Sequence, residues 1–378
     1  MKQVELSRRN FLKWSAGAVA GIALLELDHP VYRAEAAPAN CISFAQMPTD
    51  CEQMASESKL IQQDWEKLQG YVGSIHNQSL QQQVRAVLSN PAPTFMEQYG
   101  SGDAAGVYDE LESCNLVDPQ KVTAGQLFPP IADARKTPQP FLTAPGSGYG
   151  SHHPYPGGLV THTAANVSIA VKLYETYQDV FFYACDYDMA IAGEILHDLA
   201  KPYVFQWQPD GSSLKEYTIA GTGSHHIFSI AESIYRGIPN DVVVAQACAH
   251  NHPGSEKDAE QVAAWLQAAC VIAGKDPVRQ GLLSSDLHMR FPIRPEGFIV
   301  HLADHDWVLS GFAATQCVKY LKDYSARVFG INSADTAKFN VFRNYVGCQL
   351  SFMRLYQAMV AGADNRMADK LIEKLVTK

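Results

Sequence analysis

Met189-Ala190-Ile191-Ala192-Gly193-Glu194-Ile195-Leu196-His197-Asp198-Leu199-Ala200-Lys201 is an apolar run interrupted by one acid and closed by an ionisable pair. Its length and its lack of proline predict a helix, and a helix that is apolar nearly all round belongs inside a core. A His-Asp pair at the end of such a helix needs a strong partner, because a buried carboxylate is costly unless it is compensated. The same situation recurs along the chain. His162 falls in the first turn of a helix introduced by Tyr155-Pro156-Gly157-Gly158. His225 and His226 open another helix, His250 and His252 close one, and Asp304 ends the apolar run Phe298-Ile299-Val300-His301-Leu302-Ala303. Any single buried histidine is more often a hydrogen-bonded core residue than a ligand. Imidazoles and carboxylates converging from several helices are, however, how helical proteins hold transition metals, and one metal centre would satisfy all of these groups together.

Outward from that run the reading is helical almost throughout. A helical hairpin is predicted from Cys51 to about Leu88, broken near Gly73 and Asn77, and a shorter helix over Ala104 to Ser113. Later helices are expected at Leu159–Tyr177, Tyr187–Leu199, His225–Arg236, Asn240–Asn251, Asp258–Ile272 and Glu296–Phe312, with two more toward the C-terminus. Strand signals are few: Val204–Trp207 and Leu214–Ile219, around Pro209-Asp210-Gly211, read as a short hairpin. Pro129 to Gly158 is rich in proline and glycine, and a stretch of that length without regular structure favours a functional loop over an idle linker. The fold class is therefore all-α.

Composition limits the function. With 47% hydrophobic and 18% charged residues, the 378-residue chain can bury a large core. Its formal charge is −9 and no stripe of Lys or Arg is present, so long nucleic acids are disfavoured as partners. Cys41 and Cys51 lie close enough in sequence to close a short loop, while Cys185, Cys248 and Cys270 read as buried small hydrophobes. No CxxC pair exists, which argues against a thiolate zinc knuckle.

The first residues resemble an export signal. Ser7-Arg8-Arg9-Asn10-Phe11-Leu12-Lys13 is similar to the twin-arginine motif, a moderately apolar run from Trp14 to Leu25 follows, and Ala34-Glu35-Ala36 offers a cleavage site before Ala37. The resemblance implies contact with the twin-arginine translocation machinery and a periplasmic or secreted protein, exported already folded. Oligomeric state is not legible.

The ordered series His162, His197-Asp198, further histidines and Asp304 resembles the HD-domain superfamily of metal-dependent phosphohydrolases. The local words agree. His152-His153-Pro154-Tyr155-Pro156-Gly157-Gly158-Leu159-Val160-Thr161-His162-Thr163 looks like the segment leading to the first ligand in bacterial exoribonucleases and related HD phosphohydrolases. Ile195 to Lys201 is similar to the second motif, and Leu302-Ala303-Asp304 to the last. The resemblance covers roughly residues 150 to 320 and implies an HD helical bundle with an additional N-terminal helical segment. It divides the chain into a signal peptide (1–36), an N-terminal helical segment (37–128), a Pro/Gly-rich active-site loop or linker (129–158), the HD metal-binding domain (159–320) and C-terminal helices packing on it (321–378).

The resemblance makes His162, His197, Asp198 and Asp304 ligands of one divalent transition metal ion. A second ion would be bridged by Asp198 and held by His226 and either His250 or His252; Asn251 separates two histidines expected to be adjacent. Iron, manganese, zinc and nickel all suit such donors. Asp198 would be catalytic, Lys201 would neutralise the charge of a small phosphorylated or other anionic substrate, and His152 or His153 would position it. Glu194 and Asp306 are further acids that either support the ligands or lie on a solvated face. The reaction implied is hydrolysis of a phosphomonoester or phosphodiester by a metal-activated water. A di-iron oxygenase and a metal-stabilised binding module without turnover are the alternatives.

Overall fold

A computed structural model describes residues 41–378 except 101–102, 333 and 362–363, so the expected signal peptide and its cleavage site lie outside the described residues. Within them the fold is all-α, with strands reduced to two-residue pairs. Three helices, α1 (Cys51–Ser56), α2 (Lys59–Gly73) and α3 (Gln78–Ser89), build the N-terminal hairpin. Asp50, Ser58 and Asn77 cap them, each side chain accepting from a backbone N–H of the first turn. The break falls at 74–77, where the sequence places it. After α4 (Asp103–Ser113), residues 129–157 form no helix or strand.

The centre of the molecule consists of α5 (Gly158–Phe181), α6 (Tyr187–Leu196), α8 (Ser224–Tyr235), α9 (Asn240–Ala247), α10 (Glu256–Ile272) and α11 (Pro295–Ala303). The one-turn α7 (Lys201–Val204) follows directly on the His-Asp pair. Every residue of α6 from Met189 to Leu196 is buried, as an all-round apolar helix requires. Gly193 permits the close approach: a Cβ there would lie 3.2 Å from Ala245 of α9 and 3.3 Å from Val300 of α11. α12 (Trp307–Phe329), α13 (Thr336–Leu350), α14 (Phe352–Val360) and α15 (Arg366–Glu373) complete the chain, and their apolar faces join the same continuous core as the N-terminal hairpin.

Several boundaries differ from the sequence reading. The expected Glu296–Phe312 helix is two, parted by a 3-10 turn at Asp304–Asp306. That break lets Asp304 leave the α11 axis. The helix expected to reach Asn251 stops at Ala247. The expected hairpin is reduced to a single bridge between Trp207 and Ser213. Val204 is helical, and Thr218–Ile219 (β2) pairs antiparallel with Thr222–Gly223 (β3). Polar Ser212 and Ser213 leave too little apolar surface to sustain the longer pairing. At the other end Ile42–Ser43 (β1) pairs parallel with Val376–Thr377 (β4).

The Pro/Gly-rich stretch is irregular but fastened. Thr143 O accepts from Trp207 Nε1 at 3.0 Å, Phe205 O accepts from Gln139 Nε2 at 2.9 Å, and Tyr149 O and Pro154 O each accept from Arg343 Nη2 at 2.9 Å. Arg343 is fully buried and its guanidinium lies 3.9 Å over the Tyr149 ring. Glycine is required where this loop enters α5. A Cβ at Gly158 would fall 2.0 Å from His153 O, and Gly157 adopts φ +81° against Ile61. All eight cysteines are unpaired; Cys41 bonds Glu373 O, and Cys51 is buried at the start of α1, so the expected short loop is not closed.

Candidate metal centre

Helix ends deliver the donors. α5 carries His162, the end of α6 carries His197 and Asp198, α8 carries His225, the turn after α9 carries His250, and the turn after α11 carries Asp304. They form two groups around one carboxylate. Asp198 Oδ2 lies 3.1 Å from His162 Nε2 and 3.0 Å from His197 Nε2, and Asp304 Oδ1 lies 3.2 and 3.3 Å from the same two nitrogens. On the other side Asp198 Oδ1 lies 3.3 Å from His225 Nε2, and His250 Nε2 lies 3.7 Å from Asp304 Oδ2. One donor atom each from His162, His197 and Asp304 fits within a 4.8 Å cluster, as does one each from Asp198, His225 and His250.

The imidazoles are held by their other nitrogens. His197 Nδ1 donates to Glu194 O at 2.6 Å, which leaves Nε2 as an acceptor. His225 Nδ1 faces Glu216 Oε1 at 2.5 Å, and the same oxygen accepts from His225 N at 2.9 Å. His250 Nδ1 meets Thr222 Oγ1 at 3.2 Å. Nε2 therefore points inward on all three rings, the arrangement that fixes metal-ligating histidines. Asn166 Nδ2 donates to Asp304 Oδ1 at 3.0 Å and steadies the distal acid.

These residues fit a cation. His197 Nε2 lies 3.0 Å from Asp198 Oδ2 without making a hydrogen bond to it, and Asp198 Oδ1 is buried and likewise unbonded, so the angles suit a shared centre better than a mutual bond. Burial disfavours ionisation of Asp198 and Asp304, yet His197 and its neighbours outweigh that and hold both carboxyls well below their ordinary range. Burial likewise opposes charge on His197, but Asp198, Asp304 and Glu194 together raise its pKa well above normal. Carboxylates that impose a proton on an imidazole in a dry pocket are demanding positive charge. Burial takes His250 down to about 4, against the pull of Asp304, so it is a neutral donor. Glu194 is fully buried with neither oxygen paired, and desolvation, reinforced by Asp304 and Asp198, holds its carboxyl well above the usual range.

The other sequence candidates are placed as follows. His226 is turned away from the cluster: its Nε2 donates to Ala247 O at 3.1 Å and its ring packs between His250 and Trp265. His225 takes the place expected of it. His252 faces outward, accepting from Gly254 N at 3.0 Å and stacking on Phe298, so His250 is the member of that pair beside Asp304. Lys201 is buried, with Nζ 2.5 Å from Asp198 Oδ2 and donating to Gly146 O, which bolts the Pro/Gly-rich loop to the cluster. His152 and Lys201 line a cavity of about 330 Å³ together with His225, His250 and Asp304. His152 Nε2 is buried without a partner there, and burial with the nearby Lys201 charge depresses its pKa strongly. His153 is a strut instead, tied at Nδ1 to the Tyr155 hydroxyl (3.0 Å) and donating from Nε2 to Asp306 (2.8 Å). Sequence reasoning did not find Glu216 or Asn166. Glu216 carries no local signal, whereas Asn166 stands one helical turn after His162, on the same face.

Comparison with known proteins places two parts of the chain. Residues 5–24 match the twin-arginine translocation pathway signal sequence, which supports export. A 99-residue stretch, 26% of this chain, is 33% identical to the dihydroneopterin 2',3'-cyclic phosphate phosphodiesterase of Methanocaldococcus jannaschii. The match spans 39% of that relative's length. The likeness is local. No solved structure matches the chain. Among the described residues no helix is long and apolar enough to cross a membrane.

Proposed function

We propose that the protein is an exported, metal-dependent phosphohydrolase of the HD-domain type that cleaves a phosphomonoester or phosphodiester. The observation that carries this reading is the orientation of Asp198, one oxygen toward His162 and His197 and the other toward His225. His162, His197, Asp304 and Asp198 Oδ2 would hold one divalent transition ion, and Asp198 Oδ1, His225 and His250 a second. Such a pair of ions supplies Lewis acidity toward a phosphoryl oxygen and acidifies a water. The likeness to a phosphodiesterase favours hydrolysis over oxygen chemistry with the same donors.

The chain's own groups do the rest. Asp198 keeps the two donor groups in register, and Lys201 holds Asp198 while contributing fixed positive charge to the wall of the mouth. His152, neutral and unpaired at Nε2, is the loop residue able to hydrogen-bond a substrate oxygen. His153 and Asp306 position that loop against the turn bearing Asp304. Glu216 and the Glu194 carbonyl fix the tautomers of His225 and His197. Cleavage of the signal before Ala37 completes the proposal.

The test combines metal analysis of the purified protein with a screen of generic phosphomonoesters and phosphodiesters, for the native chain and for Asp198→Ala. Up to two transition ions per chain and a phosphoesterase activity are expected, both lost in the variant while the helical circular dichroism persists. An Asp198→Ala protein that keeps its metal and full activity sinks the proposal. Iron absorbance combined with inertness toward every phosphoester redirects it to oxygen chemistry.

A further inference from the structure

The mouth of the donor cluster does not end in a polar rim. His305 and Trp307 form part of its wall, and Trp307 is 47% exposed. From there a row of rings leads away: Trp307 to His305 (6.0 Å), His305 to His301 (4.4 Å). His301 in turn borders an open groove of about 410 Å³ whose floor and sides are Phe298, Leu302, Tyr177 and Tyr183. Beyond it the end of α5 exposes Phe181, packed 5.5 Å from Tyr177. The first turns of α12 add Val308, Leu309 and Phe312, each more than half exposed. Exposed apolar surface of this extent, opening from a polar pocket, marks a binding surface.

Charge narrows what lies on it. Residues 177–183 and 295–302, which supply most of the groove, contain no Lys or Arg, Asp179 stands in the last turn of α5, and Arg294, between the groove residues Ile293 and Pro295, is paired with Glu296 and Asp186. An anionic membrane surface would be recognised by the opposite pattern. A flexible apolar chain needs no charge, and because Leu302 of the groove and Asp304 of the mouth stand two residues apart, a ligand anchored by its phosphate at the cluster has the groove within reach.

We infer that the substrate is an amphiphile: a phosphate ester whose remaining part is a long apolar chain, with the phosphate at the donor cluster and the chain passing Trp307 into the groove at Leu302. The inference rests on the phosphohydrolase reading above and names the substrate class for it. Selectivity is then a matter of chain length, since each methylene removed from water strengthens binding by about fourfold.

The experiment uses the mature, metal-loaded protein with butyl, hexyl and octyl phosphate, all below their micellar concentrations. KM is expected to fall by more than about tenfold from butyl to octyl, with kcat little changed. Leu302→Glu and, separately, Trp307→Ser are expected to remove most of that gain. Calorimetric titration with octylphosphonate, which is not hydrolysed, reads the same preference without turnover. Equal KM values for butyl and octyl phosphate, or an octyl preference untouched by both variants, overturn the inference and leave the hydrolase reading standing. Octylphosphonate binding that Leu302→Glu abolishes, in a protein that turns over no phosphoester, upholds the amphiphile site and overturns the hydrolase. A dimer in sedimentation that dissociates on Leu302→Glu shows the face covered by a second copy, and also overturns the inference.

Discussion

The two halves of the donor cluster differ in depth. The side chains of His162, His197 and Asp304 are 6% exposed or less, whereas those of His225 and His250 are 11% and 23% exposed. The inner half sits where α5, α6 and α11 converge, and its donors are held by the Glu194 backbone carbonyl and the buried Asn166 side-chain amide. The outer half is held by two polar side chains from the segment just before α8, Glu216 and Thr222. Depth therefore separates a permanent framework from an adjustable rim. Asp198 belongs to both, and fully buried, it couples them.

The sharpest way to break this comparison is to remove one histidine from each half. On the proposed two-ion reading, His197→Ala is expected to empty the whole cluster of metal and to lower phosphoester hydrolysis by about a thousandfold or more, because the inner ion would hold Asp198 in place for the outer one. His225→Ala is expected to lose one ion of two and about a hundredfold in rate, with the inner ion still measurable by metal analysis. Equal losses from the two variants would abolish the distinction between framework and rim. The adjacent histidine sharpens it further: His226→Ala is expected to keep both ions and to lose roughly 2 kcal/mol of stability in denaturant unfolding, as a core residue does. Glu216→Gln is expected to weaken the outer ion's affinity by about tenfold, seen in chelator competition, and to leave the inner one unchanged. His252→Ala, on the rim but outside the cluster, is expected to change stability by no more than about 0.5 kcal/mol.

A remote acid calibrates the pH response. Burial raises the Asp188 pKa, but hydrogen bonds from the His76 and Asn77 backbone N–H groups outweigh it and lower the value below normal. A depressed folded-state pKa gives stability that is present above the ordinary carboxylate pKa and lost as pH falls through the folded one. The melting temperatures of the native protein and Asp188→Asn are thus expected to differ slightly at neutral pH and to converge in strong acid. A difference that grows with acidification would contradict the assignment.

What could be read from the sequence follows the same division by depth. Helix α6 and its terminal pair were legible because an apolar run that ends in His-Asp has few alternatives, and Asp304 was legible for the same reason. The choice of His225 over His226 was not, since adjacent residues on a helix stand about 100° apart and both lie among apolar neighbours. What decides it is tertiary: Ser229 Oγ, one turn on from His225, donates to His225 O and accepts from Ala200 N, so that face of α8 meets the turn after Asp198. The choice of His250 over His252 depends on α9 ending at Ala247, a boundary marked by no proline or glycine before Pro253. The break at Asp304–Asp306 was missed because the apolar pattern continues across it; the acids leave the helix axis to reach His153 and the cluster. The Pro/Gly-rich stretch was recognised as a loop, but its fastening by Arg343 and Trp207 is long-range information.

The pairing of Ile42–Ser43 with Val376–Thr377 bears on when the molecule can be finished. The first described strand has its partner in a segment that leaves the ribosome after every helix described above, so this contact forms only once the core helices have been made. For a chain that must be folded before it is exported, this pair would be among the last contacts to report that the fold is complete.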